Sequence, residues 1–383
     1  MVNLPQTLSE DVAYIEAQSQ GLQVQTANQR LLYTELQNLL ETITISSSQL
    51  QVLRDASLSK PQEVQVVETA LTALYKAMIT IDPKLRQSGA RPSSADDRLV
   101  VDPGMGSDRI GNEVSTMRAV QEKKARYREE SVAFIQRFKQ HMTNQFREAE
   151  METLKAIESN RNANILNSTT KLDLGRRDQT RAGLWVYSPL MLFAREIDSF
   201  EWEELLRIYE GMAKKPYQDE YRDTMNAWKR IARKPTGEDQ GALFTTQEKE
   251  SESLVARKLT VKRTKTLREG SRNSGGDKSN DGRISGYEAF AGALYDMSQS
   301  IFLEQNFLVE LFHATSLETA EFPDVVAATP PDRRKGGNLG DRKLFDPDRN
   351  MAKRVQNTMD DMYSFWPAEV QGLVDWVVKQ DAL

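Results

Sequence analysis

The residues best suited to hold a metal ion run from Asp277 to Glu288, DKSNDGRISGYE. Oxygen-bearing side chains occupy the first, third, fifth, ninth and twelfth places: Asp277, Ser279, Asp281, Ser285 and Glu288. Gly282 is sixth and Ile284 eighth. This is the spacing of an EF-hand calcium loop, in which hard oxygen ligands surround the ion and a glycine makes the sharp turn. Such a loop needs a helix on each side, and the incoming stretch KTLREGSRNSGG cannot supply one. No second loop is present to pair with it. The plainer reading is a Gly/Asp turn capping a helix that begins near Ser285. A calcium-responsive helical regulator built on residues 277–288 is kept as the alternative function.

Other chemistry is harder to find. There are no cysteines, so disulfides, thiolate nucleophiles and cysteine zinc sites are excluded. Only two histidines occur, His141 and His313, and both are read as residues on helix faces. The glycines form neither a phosphate-binding loop nor a dinucleotide fingerprint, and no carboxylate pair stands out from helical surface charge. The expectation is a protein that is not an enzyme and has no catalytic residue, metal or cofactor. One basic run, Arg257, Lys258, Lys262, Arg263, Lys265, Arg268 and Arg272 against the single acid Glu269, could contact phosphoinositide or nucleic acid. Without aromatic interleaving it reads as a solvated linker.

A net charge of −5 gives no global attraction to nucleic acid or anionic lipid, and no nucleic-acid partner is expected. The most apolar stretch, Thr69 to Ile81, is interrupted by Lys76 and is read as too short to cross a bilayer. The first thirty residues lack the basic and apolar regions of a signal peptide. A 39% hydrophobic and 28% charged composition suits long helices with one buried stripe and a wide solvated face. The fold class expected is therefore all-α: long coiled-coil helices followed by stacked helical bundles, an elongated rod.

The first element shows this pattern most clearly. Steps of seven from Leu8 give Leu8, Ile15, Leu22, Gln29, Leu36, Ile43 and Leu50, a heptad seam with one polar member. The companion column Asp11, Gln18, Gln25, Leu32, Leu39, Ser46 and Leu53 is polar in its first half. Such a seam makes a poor two-stranded zipper and calls for partner helices. Ser46-Ser47-Ser48 marks a weak spot or bend. After Pro61, Val64, Val67, Leu71, Leu74, Met78 and Ile81 repeat at three and four. A third helix, from Asn112 to about Asn160, carries Val120, Tyr127, Phe134, Phe138, Met142 and Phe146.

The expected organisation is residues 1–56 as an N-terminal coiled-coil helix and 61–160 as a long helical hairpin. Residues 179–316 form a helical bundle with a disordered basic insertion at 235–283. A loop at 318–346 precedes the start of another bundle at 347–383. Pro189 and Pro216 are expected to kink or break their helices. Leu8, Ile15, Leu22, Leu32, Leu36, Leu39, Ile43, Leu50, Tyr127, Phe134 and Phe138 are the residues expected to line a subunit interface. The apolar run near Leu383 reads as an interrupted helix, so the chain is expected to be a fragment.

Three blocks carry a family resemblance. YIEAQSQGLQVQTANQRLLYTELQNLLETI (Tyr14–Ile43) resembles the opening helix of the fungal Sec-three subunit of the exocyst, the exocyst complex component one family. GLWVYSPLMLFAREIDSFEWEELLRIYEGMAKKPYQDEYRD (Gly183–Asp223) and FLEQNFLVELFH (Phe302–His313) are similar to that family's aromatic helical segments, in the same order. The resemblance implies a role in tethering secretory vesicles at the plasma membrane, in the cytoplasm at sites of polarised secretion. It implies assembly with other exocyst subunits, Sec-five first and then Sec-six and Sec-eight. The family binds Rho-type GTPases and phosphatidylinositol bisphosphate through an N-terminal pleckstrin-like domain that nothing here resembles. Those two partners are therefore not carried over. A generic coiled-coil scaffold is the fallback.

Overall fold

The computed structural model describes residues 4–83, 85, 118–164, 174–232, 284–317, 319–341 and 346–381. Among these, every regular element is helical, and the one β-bridge is an isolated pairing of Ala232 with Ile284. The all-α expectation holds. The helices are α1 Leu4–Ile43, α2 Ser47–Asp55, α3 Pro61–Ile81, α4 Arg118–Asn164 and α5 Leu174–Thr180. A 3-10 turn, Ala182–Tyr187, leads into α6 Ser188–Ile197 and α7 Ser199–Ile231. Then come α8 Gly286–Leu311, α9 Phe322–Ala328, a 3-10 turn Pro331–Arg333, α10 Arg349–Met362 and α11 Trp366–Asp381.

Local chemistry sets many of these boundaries. The expected single helix over 1–56 is broken after Ile43 because Ser46 begins a new one. Its hydroxyl accepts from Gln49 N at 3.3 Å, and the Gln49 side chain accepts from Ser46 N at 3.2 Å, a reciprocal cap. Pro61, Pro189 and Pro367 all sit in a first turn, where a missing N–H leaves nothing unsatisfied. Asp198 Oδ1 accepts from Phe200 N and Glu201 N and starts α7. Of the expected kink or break at Pro216, the break does not occur: α7 runs on to Ile231, with Tyr217 and Tyr221 buried just beyond the proline. The loop expected over 318–346 is also corrected, since it contains α9 and a 3-10 turn. Glu321 and Asp324 cap α9 reciprocally, and its Phe322 is fully buried.

The compact units interleave along the chain and do not follow the sequence-based divisions. Unit 1 comprises residues 1–148, 181–209 and 306–358; unit 2 comprises 149–180, 210–305 and 359–383. The physical reason is that α4, α7, α8 and α10 each contribute residues to both.

Unit 1 is built on α3. Val64, Val67, Leu71 and Leu74 have no exposed surface, so α3 is a core helix, although its 21 residues are long and apolar enough to span a bilayer. Tyr75, Phe134, Phe193 and Phe322 form a chain of tilted and edge-to-face rings with centroids 5.2–6.5 Å apart. Trp202 Nε1 donates to Phe312 O at 2.9 Å. His313 does not lie on a helix face, as expected, but closes α8 in the left-handed conformation, φ 53°. Ala314 N bonds back to Val309 O at 3.0 Å, and Ser188 Oγ holds the imidazole Nε2 at 2.8 Å.

Unit 2 packs Tyr217, Tyr221, Tyr363, Phe365 and Met297 in its core. Arg177 is buried there, its guanidinium 3.5 Å from the Tyr217 ring centroid and 3.1 Å from Glu220. Trp228 Nε1 donates to Asp296 Oδ2 at 3.2 Å, and Gly292 lies so close to the indole that a Cβ would come within 2.4 Å of it. Ile284 N donates to Ile231 O at 3.2 Å.

Candidate subunit interface

The seam found in the sequence falls on two kinds of surface. Leu8 and Ile15 lie on α1. Leu22 is 59% exposed and Leu32 45% exposed, while Leu36 and Leu39 are half-buried. Ile43 and Leu50 are buried within unit 1 at 1% and 3% exposure. So are Tyr127, Phe134 and Phe138 of α4. These last five form the chain's own core, which corrects their expected place on an interface. Apolar periodicity reports that a face is buried, not which molecule buries it.

The junction between α1 and α2 shows how the exposed part is held. Tyr127 OH donates to Ile43 O at 2.7 Å and accepts from Ile45 N at 3.3 Å, and Lys123 Nζ donates to Thr44 Oγ1 at 2.9 Å. One turn pair further on, Arg54 Nε donates to Glu130 Oε2 at 2.8 Å. Two surfaces of α4 thus anchor the end of α1 and the body of α2. α1 also packs on α3, through its last turns, where Leu36, Leu39 and Ile43 lie at helical spacing.

Beyond these turns the helix is uncovered. Every residue from Gln18 to Glu35 is exposed. At about 100° per residue, Leu22, Tyr33, Leu36 and Leu40 share one line, while Val24 and Leu31 lie on the opposite side. Val24 is 60% exposed, Leu31 63%, Tyr33 69% and Leu40 55%. Tyr33 and Leu40 were missed by strict steps of seven, because a straight helix drifts about 20° per heptad; a period of 3.6 recovers them. Between Gln18 and Thr42 the charged residues are Arg30, Glu35 and Glu41 alone. The hydroxyls of Thr26, Thr34 and Thr42 bond back to the carbonyls of Leu22, Arg30 and Asn38 at 2.8–3.0 Å, so they require no outside partner.

A helix of this kind cannot draw its stability from packing within the chain, and isolated helices are marginal in water. Burying the six exposed apolar side chains would supply on the order of 10 kcal/mol, an upper estimate. Apolar side chains on opposite faces call for more than one covering helix.

The remaining candidates resolve differently. The basic run 257–272 and residues 277–283 of the calcium-type loop lie outside the described residues. Within the described part, Ser285 and Glu288 are engaged with each other. Glu288 N donates to Ser285 Oγ at 3.2 Å and Ser285 N to Glu288 Oε2 at 3.0 Å, a capping box at the start of α8. His141 sits on α4, its ring 5.1 Å from that of Tyr187 in an edge-to-face contact. Burial first, and the Arg137 charge second, hold its pKa below the usual histidine value. The same kind of burial pushes the Tyr187 phenol up to about 12, while its OH donates to Leu58 O at 2.9 Å.

Comparison with known families gives two matches. Residues 3–80, which span α1 to α3, match the family described as Exocyst complex component Sec3, coiled-coil. Residues 311–383, which include α9 to α11, match Exocyst complex component Sec3, C-terminal. No curated protein and no solved structure matches the chain.

Proposed function

The chain belongs to the Sec3 family of exocyst components, and from that premise we propose that it joins the vesicle-tethering complex through the uncovered length of α1. The exocyst role is one of assembly with other exocyst subunits. The observation that carries the α1 reading is the uncovered double-faced stripe of Leu22, Tyr33 and Leu40 against Val24 and Leu31. Leu8 and Ile15, earlier on the same helix, are assigned to the same interface, and Leu32, Leu36 and Leu39 flank the stripe.

The first partner helix is that of the Sec-five subunit, with Sec-six and Sec-eight completing the junction. This assignment is supported by the family resemblance of Tyr14–Ile43 and by the need for helices on two sides of α1. The assembly works at the cytoplasmic side of the plasma membrane, at sites of polarised secretion, and without catalysis.

Co-expression with the Sec-five subunit tests the reading. Leu22→Asp with Tyr33→Asp should abolish co-purification, because each aspartate places a charge in a desolvated seam. Both positions are exposed in the free chain, so the helical circular dichroism and urea midpoint should be preserved. Undiminished co-purification of the double variant would remove α1 from the interface.

A further inference from the structure

Ser57 sits in the short connection between α2 and α3 of unit 1, in the run Arg54-Asp55-Ala56-Ser57-Leu58. An arginine three places before a serine, with an apolar side chain just after it, is a charge pattern that arginine-directed serine kinases select. Among the described residues an arginine precedes a serine or threonine by three places at Ser57, Ser131 and Thr180. Ser131 has no exposed surface, and its hydroxyl donates to Tyr127 O at 2.9 Å. Thr180 shares a hydrogen bond of 2.7 Å with Thr153 and is followed by Arg181, which is not apolar. Of the three, Ser57 alone is exposed. α2 ends at Asp55 and Ala56 is already extended, so a kinase needs to open only the last turn of a nine-residue helix.

The same connection is fastened to groups that lack acceptors. Arg137 Nη1 donates to Arg54 O, but Arg137 Nε and Nη2 are buried without a hydrogen-bond partner among the described residues. One turn further along α4, His141 Nε2 is likewise buried and unpartnered. On the other side of Ser57, Leu58 O accepts from Tyr187 OH at 2.9 Å, and the ring of Tyr187 packs on His141. Ser57 is thus held between two carbonyls that both belong to this cluster. Each strong cation here has a carboxylate near it: Glu130 takes Arg54, Glu63 lies 3.8 Å from Lys60, and the charge of Asp55 reaches Arg137. Asp55, however, accepts from Gln51 Nε2 at 3.2 Å and not from the guanidinium. The shortage is one of acceptors, not of negative charge.

We propose that Ser57 is a phosphorylation site whose phosphate is captured by Arg137 and His141. An arginine-directed kinase passes the γ-phosphoryl group of ATP to Ser57 Oγ; ADP leaves, and the hydroxyl proton goes to the base of the kinase. The new group brings three strong acceptor oxygens to a cluster with three unpartnered nitrogens, and the fork of a guanidinium suits a phosphate. Capture fastens the corner between α2 and α3 to α4. None of these residues belongs to α1, so the site is independent of the role assigned to that helix.

Two measurements on the full chain test the two halves of the proposal. Calcium/calmodulin-dependent protein kinase II with magnesium ATP should place phosphate on Ser57, located by fragment-ion mass spectrometry that separates it from Ser59. Arg54→Lys, which keeps a cation beside Glu130, should slow that modification about tenfold. For capture, phosphoserine is installed at position 57 by genetic code expansion and titrated by phosphorus NMR. Its second ionisation should fall from the ordinary value of about 6 to about 5 in the folded chain, and should return to about 6 in Arg137→Met. A phosphorylated peptide of residues 54–60 gives the unheld reference, so the wild-type titration decides even if Arg137→Met folds poorly. The proposal is overturned if the kinase leaves Ser57 unmodified. It is overturned equally if the wild-type phosphate titrates like the peptide, or if a folded Arg137→Met titrates like the wild type.

Discussion

Arg334 grips Glu68 through two hydrogen bonds, 266 residues apart in the chain, and the Glu68 side chain has no exposed surface. Burial holds the Glu68 carboxyl above the usual carboxylate range even with the guanidinium beside it. Removing one partner strands the other. Arg334→Met should destabilise unit 1 by about 3–5 kcal/mol, whereas Glu68→Met with Arg334→Met should recover most of that loss. Urea denaturation of the two variants measures the difference, and equal losses would show that the pair itself, and not the stranding of Glu68, carries the stability.

His141 sets a pH dependence of known sign. Its folded pKa lies below the ordinary value of 6.5, so the unfolded chain takes up the proton first as pH falls. The stability it contributes is complete above that value and is lost progressively as pH drops below it. His141→Phe, which keeps a ring against Tyr187, should flatten the loss. Comparing urea midpoints at about pH 7.5 and 5.5 checks this against the histidine range.

Tyr127 governs the elbow between α1 and α2. Tyr127→Phe removes a donor to Ile43 O and an acceptor for Ile45 N, and should cost about 1–2 kcal/mol. The amide of Ile45 should exchange with deuterium faster in the variant. An unaltered exchange rate at Ile45 would mean that the phenol hydroxyl does not hold the elbow.

The uncovered length of α1 should behave as a separate part in the isolated chain. Amides of residues 18–35 lack tertiary cover and should exchange rapidly, while those of α3 remain protected. Adding the partner subunit should slow the first group and leave the second unchanged. Protection over 18–35 in the isolated chain would point to self-association.

The sequence made some of this legible and concealed the rest for physical reasons. Regular apolar spacing revealed α3 and the core stripe of α4, and Ser46 showed where α1 would break. The same spacing could not say whether Phe134 faced its own chain or another, because desolvation leaves one signature for both. Phe322 was lost inside a stretch read as loop: α9 has seven residues, too few to display a period. Arg334 and Glu68 carried no signal at all, since nothing local relates two charges so far apart. Of the candidate interface, Leu22 and Leu32 were identified in advance, whereas Tyr33 and Leu40 fell off a strict seven-residue ruler.

The distance between Glu68 and Arg334 has a bearing on how the protein is made. At roughly 5–20 residues per second, ribosomal synthesis takes about 10–50 s to travel from one to the other. Throughout that interval α3 lacks its counter-charge, and for most of it also the ring of Phe322, which packs on Tyr75. Unit 1 is thus a late product of translation. A nascent chain stalled before residue 334 carries a half-finished core of the kind that chaperones retain and proteases recognise.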